Sequence, residues 1–455
     1  MNNRWTRIGI ARIRIVHIAL FCMAVPLGIG AQTPAPDPEP LTLRRAVELA
    51  LARAPGLVAA RAAREEGAAS AELARDAFSP SAYFSTTPGY TYGLPTLIAG
   101  HVPSVFGVDI QKPLFDPARR SDALRAEASA SALDASLALS CRATIEATVS
   151  AYGRSYLDGV MVEAARRRLE AAEAIARRMT ALFEEGRRTE LEVESATLQA
   201  ARARQKLLNA ESDRDLGELE LKRLIGWPGS ASLHLAGDPE AVVPELTANE
   251  NVDAVRSADP ELASLEREVT LLAKSADIES KRWMPTVVAS AAYRRLAKFN
   301  NYDDYYLTFT PDSVAVGVSI VVPIWTGGRF EDERREARAR FDRAEAALRT
   351  RESDVEMAVR RAEAAVARSM AERSISRRAR GIADRRKSAE ELLVREGRSE
   401  LVELDEREMA LADADDEAAQ ASLTSLLERV HLLSLRGELG RALLGAEPPC
   451  AAPTP

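Results

Sequence analysis

The sequence predicts a mainly helical protein with a small β part, built from long antiparallel helical hairpins. Two stretches, 117–184 and 329–396, contain no proline after their first residue and only scattered glycines. Aromatic residues make up only 5% of the chain, which leaves few large side chains for compact cores, whereas charged residues make up 28%. This composition is typical of long helices and coiled coils. At a rise of about 1.5 Å per residue, a helix of about 68 residues would be about 100 Å long.

The apolar positions within these stretches have coiled-coil spacing. In the first stretch they step by three, four and three residues through Ala172, Ile175, Met179 and Leu182. Such steps form the seam along which one helix packs on another. Gly186 and Gly397 then mark sharp turns, and 189–225 and 400–444 are predicted to be returning helices. We therefore expect two long hairpins.

The chain also contains an internal duplication. Pro55 corresponds to Pro260, and the motif Lys112-Pro113-Leu114-Phe115 corresponds to Val322-Pro323-Ile324-Trp325. The separation between matching positions grows slowly along the chain, as expected for two diverged copies of one unit. Each copy reads as a helix, two strands and a long hairpin.

The N-terminus predicts export. Four arginines precede an apolar stretch and a run of small residues, which is the pattern of a signal peptide, although an uncleaved membrane anchor has a similar pattern. We divide the chain into a signal peptide (1–31), a Pro-rich segment (32–40), repeat 1 (41–230), a connector or equatorial segment (231–257), repeat 2 (258–446) and a Pro-rich tail (447–455). The net charge is -7, which makes nucleic acid an unfavourable partner.

Four short segments are predicted to be β-strands, two in each repeat. These segments are 82–92, 104–112, 286–295 and 313–322. In the last of them Val314, Val316 and Val318 alternate with Ala315 and Gly317. Apolar residues on one face and small or polar residues on the other are typical of a transmembrane β-barrel, and also of a half-buried strand in a soluble sheet.

The number of strands bears on that choice. Four strands cannot close a barrel, and an open sheet in lipid would leave backbone groups at its edges without hydrogen bonds. Several chains would therefore have to contribute to one barrel. On this interpretation Asp109 and Gln111 fall on the small and polar face and are predicted to line the barrel lumen.

The sequence offers no pattern for catalysis or for a cofactor. Its four histidines are scattered without metal-ligand spacing, and no glycine-rich phosphate loop is present. We expect no catalytic, cofactor-binding or metal-binding residues, and we expect a protein that is not an enzyme. Cys141 and Cys450 do not form a disulfide framework, and we expect both to be free thiols.

The order of these motifs resembles the TolC-type outer-membrane efflux protein family over about 41–445. The resemblance rests on the opening Leu41-Thr42-Leu43, on the duplicated strand pairs and on a signature at each hairpin tip. That signature is a glycine followed six positions later by an acid and an aliphatic residue. Gly186 precedes Glu192-Val193 in this way, and Gly397 precedes Glu403-Leu404.

The resemblance implies a homotrimer in which each chain gives four strands to a twelve-stranded barrel and its helices to a periplasmic tunnel. It implies a passive exit duct in the outer membrane that spans into the periplasm and contacts outer-membrane lipid. Its partners would be a periplasmic adaptor (membrane fusion) protein and an inner-membrane pump of the RND, ABC or MFS type. The helices alone would also fit a periplasmic coiled-coil scaffold or adaptor without a pore.

The resemblance also assigns roles at the hairpin tips. The residues that would meet the adaptor are Gly186, Arg187, Thr189, Gly397, Arg398 and Ser399. Glu403 and Glu406 match an acidic ring around the aperture, or they are merely solvated acids of a charged helix. Because Ser399 and Val394 occupy the positions of the basic and tyrosine partners, the family's latch to Glu192 cannot form here. Arg395 or Arg398 reaching across would replace it, as would Arg187 or Arg188 within the first tip.

Overall fold

The computed structural model describes residues 40–87, 104–244, 252–296, 310 and 312–446. The predicted signal peptide and the Pro-rich tail lie outside these residues, as does the end of the first predicted strand. In chain order the elements are β1 (Leu41–Thr42), α1 (Leu43–Arg53), α2 (Pro55–Asp76), β2 (Ser81–Thr87), β3 (Ser104–Phe115), α3 (Pro117–Glu184), α4 (Glu190–Ile225), β4 (Leu235–Ala236), α5 (Pro239–Val242), α6 (Val252–Ala258), α7 (Pro260–Ser280), β5 (Thr286–Leu296), β6 (Asp312–Val321), α8 (Arg329–Arg395), α9 (Leu401–Leu435) and α10 (Leu439–Leu444).

The prediction of a mainly helical chain with a small β part is confirmed. α3 packs on α4 and α8 packs on α9, so the described chain contains two long antiparallel hairpins. α9 is shorter than the helix predicted over 400–444. It ends at Leu435, and Gly437 with a φ of 72° separates it from α10, because a left-handed residue ends the helical hydrogen-bond ladder.

Side-chain caps fix where the long helices begin. The Asp116 carboxylate accepts hydrogen bonds from the backbone N–H groups of Ala118 and Arg119, and Pro117 occupies the first helical position of α3. Thr189 and Glu192 form a capping box at the start of α4, each side chain accepting from the other residue's backbone N–H. These caps satisfy amide groups that a helix start leaves without partners.

The four longer strands form one antiparallel sheet in the order β2-β3-β5-β6. β3 pairs with β5, so strands from the two halves of the chain meet at the centre of the sheet. β3 runs to Phe115, beyond the predicted end at 112, because Pro113 and Phe115 still pair with β5 across a register shift. Within the described chain, β2 and β6 form the two edges of this sheet.

The register sorts the side chains of the sheet onto two unlike faces. The small and polar face carries Ser81, Tyr83, Ser85, Gly107, Asp109, Gln111, Ser290, Ala292, Arg294, Ser313, Ala315 and Gly317. The apolar face carries Ala82, Phe84, Val108, Ile110, Ala291, Tyr293, Val314, Val316 and Val318. The valines of β6 are 60% to 81% exposed. Among the residues that the structure describes, no layer of side chains covers this apolar face.

The main hydrophobic core lies where the short elements meet the long helices. α1, α3, α4, α9 and α10 contribute to it. At its centre the hydroxyl of Tyr152 is 2.9 Å from the carbonyl oxygen of Leu41 and 2.7 Å from that of Ala236. Because these carbonyls belong to the paired strands β1 and β4, Tyr152 holds the small parallel sheet against α3.

One expectation about the cysteines was wrong. Cys141 is 2% exposed in this core and is disulfide-bonded, so it is not the free thiol that its isolated position suggested. The other cysteines, Cys22 and Cys450, lie outside the described residues. A sequence spacing cannot show which cysteines folding brings together, because the pairing depends on tertiary contacts.

None of the helices in the described residues has an apolar segment of the length that a membrane span requires.

Candidate functional site at the hairpin tips

The two hairpins end in similar tight turns. Gly186 has a φ of 72° and Gly397 a φ of 68°, a left-handed conformation that glycine adopts without the steric cost of a Cβ atom. Both glycines are exposed, as are Arg187, Thr189 and Arg398, whereas Ser399 is half-buried. The predicted docking residues therefore lie on two exposed turns at the hairpin ends.

Arginines of the first tip reach an acid of the second tip. One guanidinium nitrogen of Arg187 is 3.7 Å from a carboxylate oxygen of Glu400, and one of Arg188 is 3.8 Å from the other oxygen. Arg188 also lies 3.0 Å from Glu192. Arg188 thus connects an acid on its own tip with an acid on the other tip.

The acid predicted to take part in a gate is held within its own tip. Glu192 accepts from the backbone N–H of Thr189 at 2.7 Å and from its hydroxyl at 2.9 Å. These hydrogen bonds, followed by that from Arg188, hold the pKa of Glu192 below its ordinary value. Arg398 pairs with Glu396 at 3.1 Å, and Arg395 lies in the last turn of α8. Among the described contacts, neither of these two arginines reaches Glu192.

A second connection between the hairpins lies just above the turns. The guanidinium of Arg178 on α3 contacts the carboxylate of Asp405 and the carbonyl oxygen of Leu401, both on α9. Burial raises the pKa of Asp405, and Arg178 opposes this shift by stabilising the charged carboxylate. The base lies on the first hairpin and the acid on the second, which is the reverse of the arrangement that the family resemblance implies.

The two acids assigned to the aperture lie beside this pair. Glu403 and Glu406 are both exposed and stand three residues apart on α9, so they share a helix face. Asp405 between them is turned toward α3 and is only 16% exposed. The structure thus separates one half-buried, paired acid from two acids that face solvent.

Higher along the hairpins, a cluster of charges joins all four long helices. We name it the belt, and it consists of Arg167, Arg168, Lys206, Arg380, Asp413, Asp415 and Asp416. At its centre Asp415 is 5% exposed and lies 2.6 Å from Arg167 of α3 and 2.5 Å from Arg380 of α8. Lys206 of α4 lies 2.7 Å from Asp416. The belt thus connects the four long helices above the tips.

The predicted lumen residues lie together on the small and polar face of the sheet. Asp109 is 2.8 Å from the guanidinium of Arg294 on the neighbouring strand β5. Gly107 leaves room for this arginine, because a Cβ atom there would stand 3.3 Å from the Arg294 Cγ atom. Gln111 is exposed on the same face.

Sequence reasoning missed Arg178, Asp405 and the belt. These residues sit among many arginines and acids of similar spacing. Asp405 lies 227 positions from Arg178, and Asp415 lies 248 positions from Arg167 and 35 positions from Arg380. Only the register in which the long helices pack on one another selects these pairs. In the part of the chain that the structure describes, no group of histidine, cysteine, aspartate or glutamate side chains could hold a metal ion.

Two long helical hairpins joined to a four-stranded sheet with one apolar and one polar face define a protein of the outer-membrane channel class. The sequence profile described as outer membrane efflux protein matches residues 46–227 and 251–438. The chain therefore belongs to the outer membrane efflux protein family, as its motifs indicated, and its location is the outer membrane. A comparison with curated proteins gives no match.

Solved structures show the same fold at low sequence identity. The outer membrane protein VceC of Vibrio cholerae is 17% identical with a TM-score of 0.70, over 87% of this chain and 96% of that one. The CmeC outer membrane channel of Campylobacter jejuni is 15% identical with a TM-score of 0.70, over 87% and 86%. The open state of the MtrE outer membrane channel of Neisseria gonorrhoeae is 16% identical with a TM-score of 0.68, over 87% and 89%.

Proposed function

We propose that the protein is the passive exit duct of a tripartite efflux or type I secretion system. Three copies would combine their sheets into a twelve-stranded barrel and their hairpins into a periplasmic tunnel. The observation that carries this proposal is the sheet, whose apolar face is exposed and whose edges β2 and β6 have no further strand within the described chain. In lipid these edges require partners, and copies of the same chain supply them without leaving an open end.

The two-fold repeat supports the same arrangement. Repeat 1 (41–230) and repeat 2 (258–446) each contribute two strands and one hairpin, and the connector (231–257) joins them. Three chains would then place six similar hairpins around one axis. Detergent-extracted protein should migrate as a trimer and form conducting pores in planar bilayers. A monomer that is recovered without detergent would instead support a periplasmic scaffold.

We further propose that the hairpin tips dock onto a periplasmic adaptor, which connects the duct to an inner-membrane pump. The exposed turns around Gly186 and Gly397 support this role, because they form the ends of the hairpins and each carries both acidic and basic side chains. A photo-crosslinking residue at Arg187 or Arg398 should trap the adaptor in cells. The same residue at Arg349, an equally exposed arginine far from the tips, is the matched control.

The tip contacts support a gate in which the first hairpin carries the basic residue and the second hairpin the acid. This is the reverse of the arrangement that the family resemblance implies. The Arg178–Asp405 pair and the Arg188 bridge between Glu192 and Glu400 would hold the second hairpin against the first in the closed state. Arg178→Glu should open the tips and raise single-channel conductance, and the double variant Arg178→Glu with Asp405→Arg should restore the closed state. An unchanged conductance in Arg178→Glu would contradict this gate.

Glu403 and Glu406 are proposed as the acidic ring of the aperture. In a trimer they would place six carboxylates around a narrow opening, where like charges favour the passage of cations. Glu403→Ala with Glu406→Ala should therefore weaken cation preference in planar-bilayer recordings. An unchanged reversal potential in a salt gradient would remove the assignment.

Under the proposed function the inner-membrane pump, and not the duct, selects the exported substrate.

A further inference from the structure

An exposed apolar collar lies where the sheet meets the long helices. It consists of Trp283 between α7 and β5 and of Val322, Ile324 and Trp325 between β6 and α8. Trp283 is 65% exposed, Ile324 96% and Trp325 87%. The collar follows directly on the apolar face of β6, whose Val318 and Ile320 are also exposed. It therefore continues the lipid-facing surface toward the helices.

A groove rich in arginine lies between α7 and α8, at the end of these helices that adjoins the sheet. It has a volume of about 500 Å³, and its lining includes Asp277, Ser280, Arg334, Arg335, Arg338 and Phe341. Ser280 ends α7 three residues before Trp283, and Arg334 follows Trp325 by nine residues. The groove and the collar thus occupy the same end of the two helices.

The three arginines keep donors available to a ligand. Arg334 lies 3.0 Å from Glu331, Arg338 lies 3.1 Å from Asp342, and Arg335 contacts Asp332. All three are surface pairs within one turn of α8, which contribute little stability and leave part of each guanidinium free to bind elsewhere. The groove's own acid, Asp277, pairs with Lys281 at 2.7 Å. The residues that line the groove therefore comprise three cations and one anion, each paired with a neighbour on its own helix.

We propose that the collar and the arginine groove form a binding site for phospholipid of the inner leaflet of the outer membrane. The collar would lie at the hydrocarbon boundary, where tryptophan is favoured, and the groove would take the phosphate of the headgroup. α8 begins at Arg329, so Arg334 and Arg338 stand about 8 to 14 Å along the helix axis from its start. Headgroups extend about 5 to 8 Å beyond the hydrocarbon core. Long arginine side chains can bridge the remaining distance between the helix backbone and the phosphate.

This inference rests on the membrane placement of the sheet under the proposed function, but its tests are separate. The chain has four tryptophans, of which Trp5 lies in the predicted signal peptide. In the first test Trp5 and two of the other three are replaced by phenylalanine, so that one tryptophan remains. Trp227 packs against the main core and serves as the control. In vesicles of brominated phosphatidylcholine, Trp283 and Trp325 should be quenched at least about twofold more than Trp227, because interfacial tryptophans contact lipid. Equal quenching of the three would overturn the collar.

The second test measures lipid binding by native mass spectrometry of the detergent-purified protein titrated with phosphatidylglycerol. The variant Arg334→Gln/Arg335→Gln/Arg338→Gln should bind about tenfold more weakly, because it loses charge-assisted hydrogen bonds to phosphate. The control Arg349→Gln/Arg360→Gln changes exposed arginines of the same helix away from the groove and should bind as wild type does.

Three results would overturn the site. Equal loss of lipid in both variants would show a nonspecific charge effect, and full competition by millimolar inorganic phosphate would show a general anion site. Dissociation of the oligomer by the triple substitution would show that the groove is an interface between copies. In each case the proposed function would stand as long as the wild-type protein forms conducting pores in planar bilayers.

Discussion

Replacing Asp415 by asparagine should loosen the belt that joins the long helices. The Asp415 carboxylate is 5% exposed and contacts two arginines, Arg167 on α3 and Arg380 on α8. Asparagine keeps the shape of the side chain but removes its charge. Two guanidinium groups would then face a neutral amide that can accept only part of their hydrogen bonds.

The structure sets the size of this effect. Removing one partner of a fully buried ion pair typically costs about 3 to 5 kcal/mol. Here Arg167 and Arg380 are 42% and 60% exposed, so both can turn toward water and recover part of their solvation. We therefore expect a smaller cost of about 1 to 3 kcal/mol.

Hydrogen exchange measures this cost locally, without requiring a membrane protein to unfold reversibly. A decrease of 1 to 3 kcal/mol in the free energy of local opening should speed amide exchange around 413–416 of α9 by about 5- to 150-fold. Asp342→Asn is the matched control, because it removes an exposed acid that pairs with Arg338 at 3.1 Å. Its exchange should change by less than about threefold, as expected for a surface pair.

The double-mutant cycle of Asp415→Asn with Arg380→Gln then isolates their interaction. If the carboxylate holds α8 against α9, the two effects should be clearly less than additive. Exchange around Asp415 that stays within threefold of wild type would refute the reasoning. It would mean that apolar contacts, and not the belt, hold the helices together at this level.

Two further predictions concern the pair of Glu146 on α3 with His431 on α9 and the tip of the first hairpin. His431 lies 2.8 Å from Glu146, and this hydrogen bond raises the pKa of His431. A pKa that is higher in the folded state gives stability that is present below about pH 6.5 and is lost as the pH rises through the raised pKa. The thermal midpoint should therefore fall between pH 6 and pH 8. The variant His431→Gln should show a weaker dependence of the midpoint on pH. Gly186→Ala should lower the free energy of unfolding by about 1 to 2 kcal/mol, because the φ of Gly186 is 72°. The control Gly159→Ala inside α3 should raise it by up to about 1 kcal/mol, because alanine favours a helix more than glycine does. Equal effects of the two substitutions in thermal denaturation would contradict the tip conformation.

The helices and strands were largely readable from the sequence because their determinants are local. A long stretch without proline, followed by a glycine, predicts a long helix that ends in a tight turn, as found at Gly186 and Gly397. Alternation of Val314, Val316 and Val318 with small residues likewise predicts a strand with two unlike faces. The short-range geometry of the backbone decides both patterns, so no knowledge of distant residues is needed.

The end of α9 was misjudged for a related reason. Apolar residues continue through Leu443, and a periodic pattern does not reveal a single left-handed residue such as Gly437. Whether a glycine interrupts a helix depends on what packs against it, and here the Arg142 side chain fills the space beside Gly437. Local propensity alone leaves both outcomes open.

The sequence by itself determined the helical architecture, the hairpin turns, the polarity of the strand faces and, through the order of its motifs, the family. Only the tertiary structure decided which charges meet: Arg178 with Asp405, Arg188 with Glu400, and Asp415 with two arginines. In a chain this rich in arginine and acids, many pairings have similar local spacing. The register in which one long helix packs on another selects among them, and that register is set by small buried side chains distributed along the whole interface.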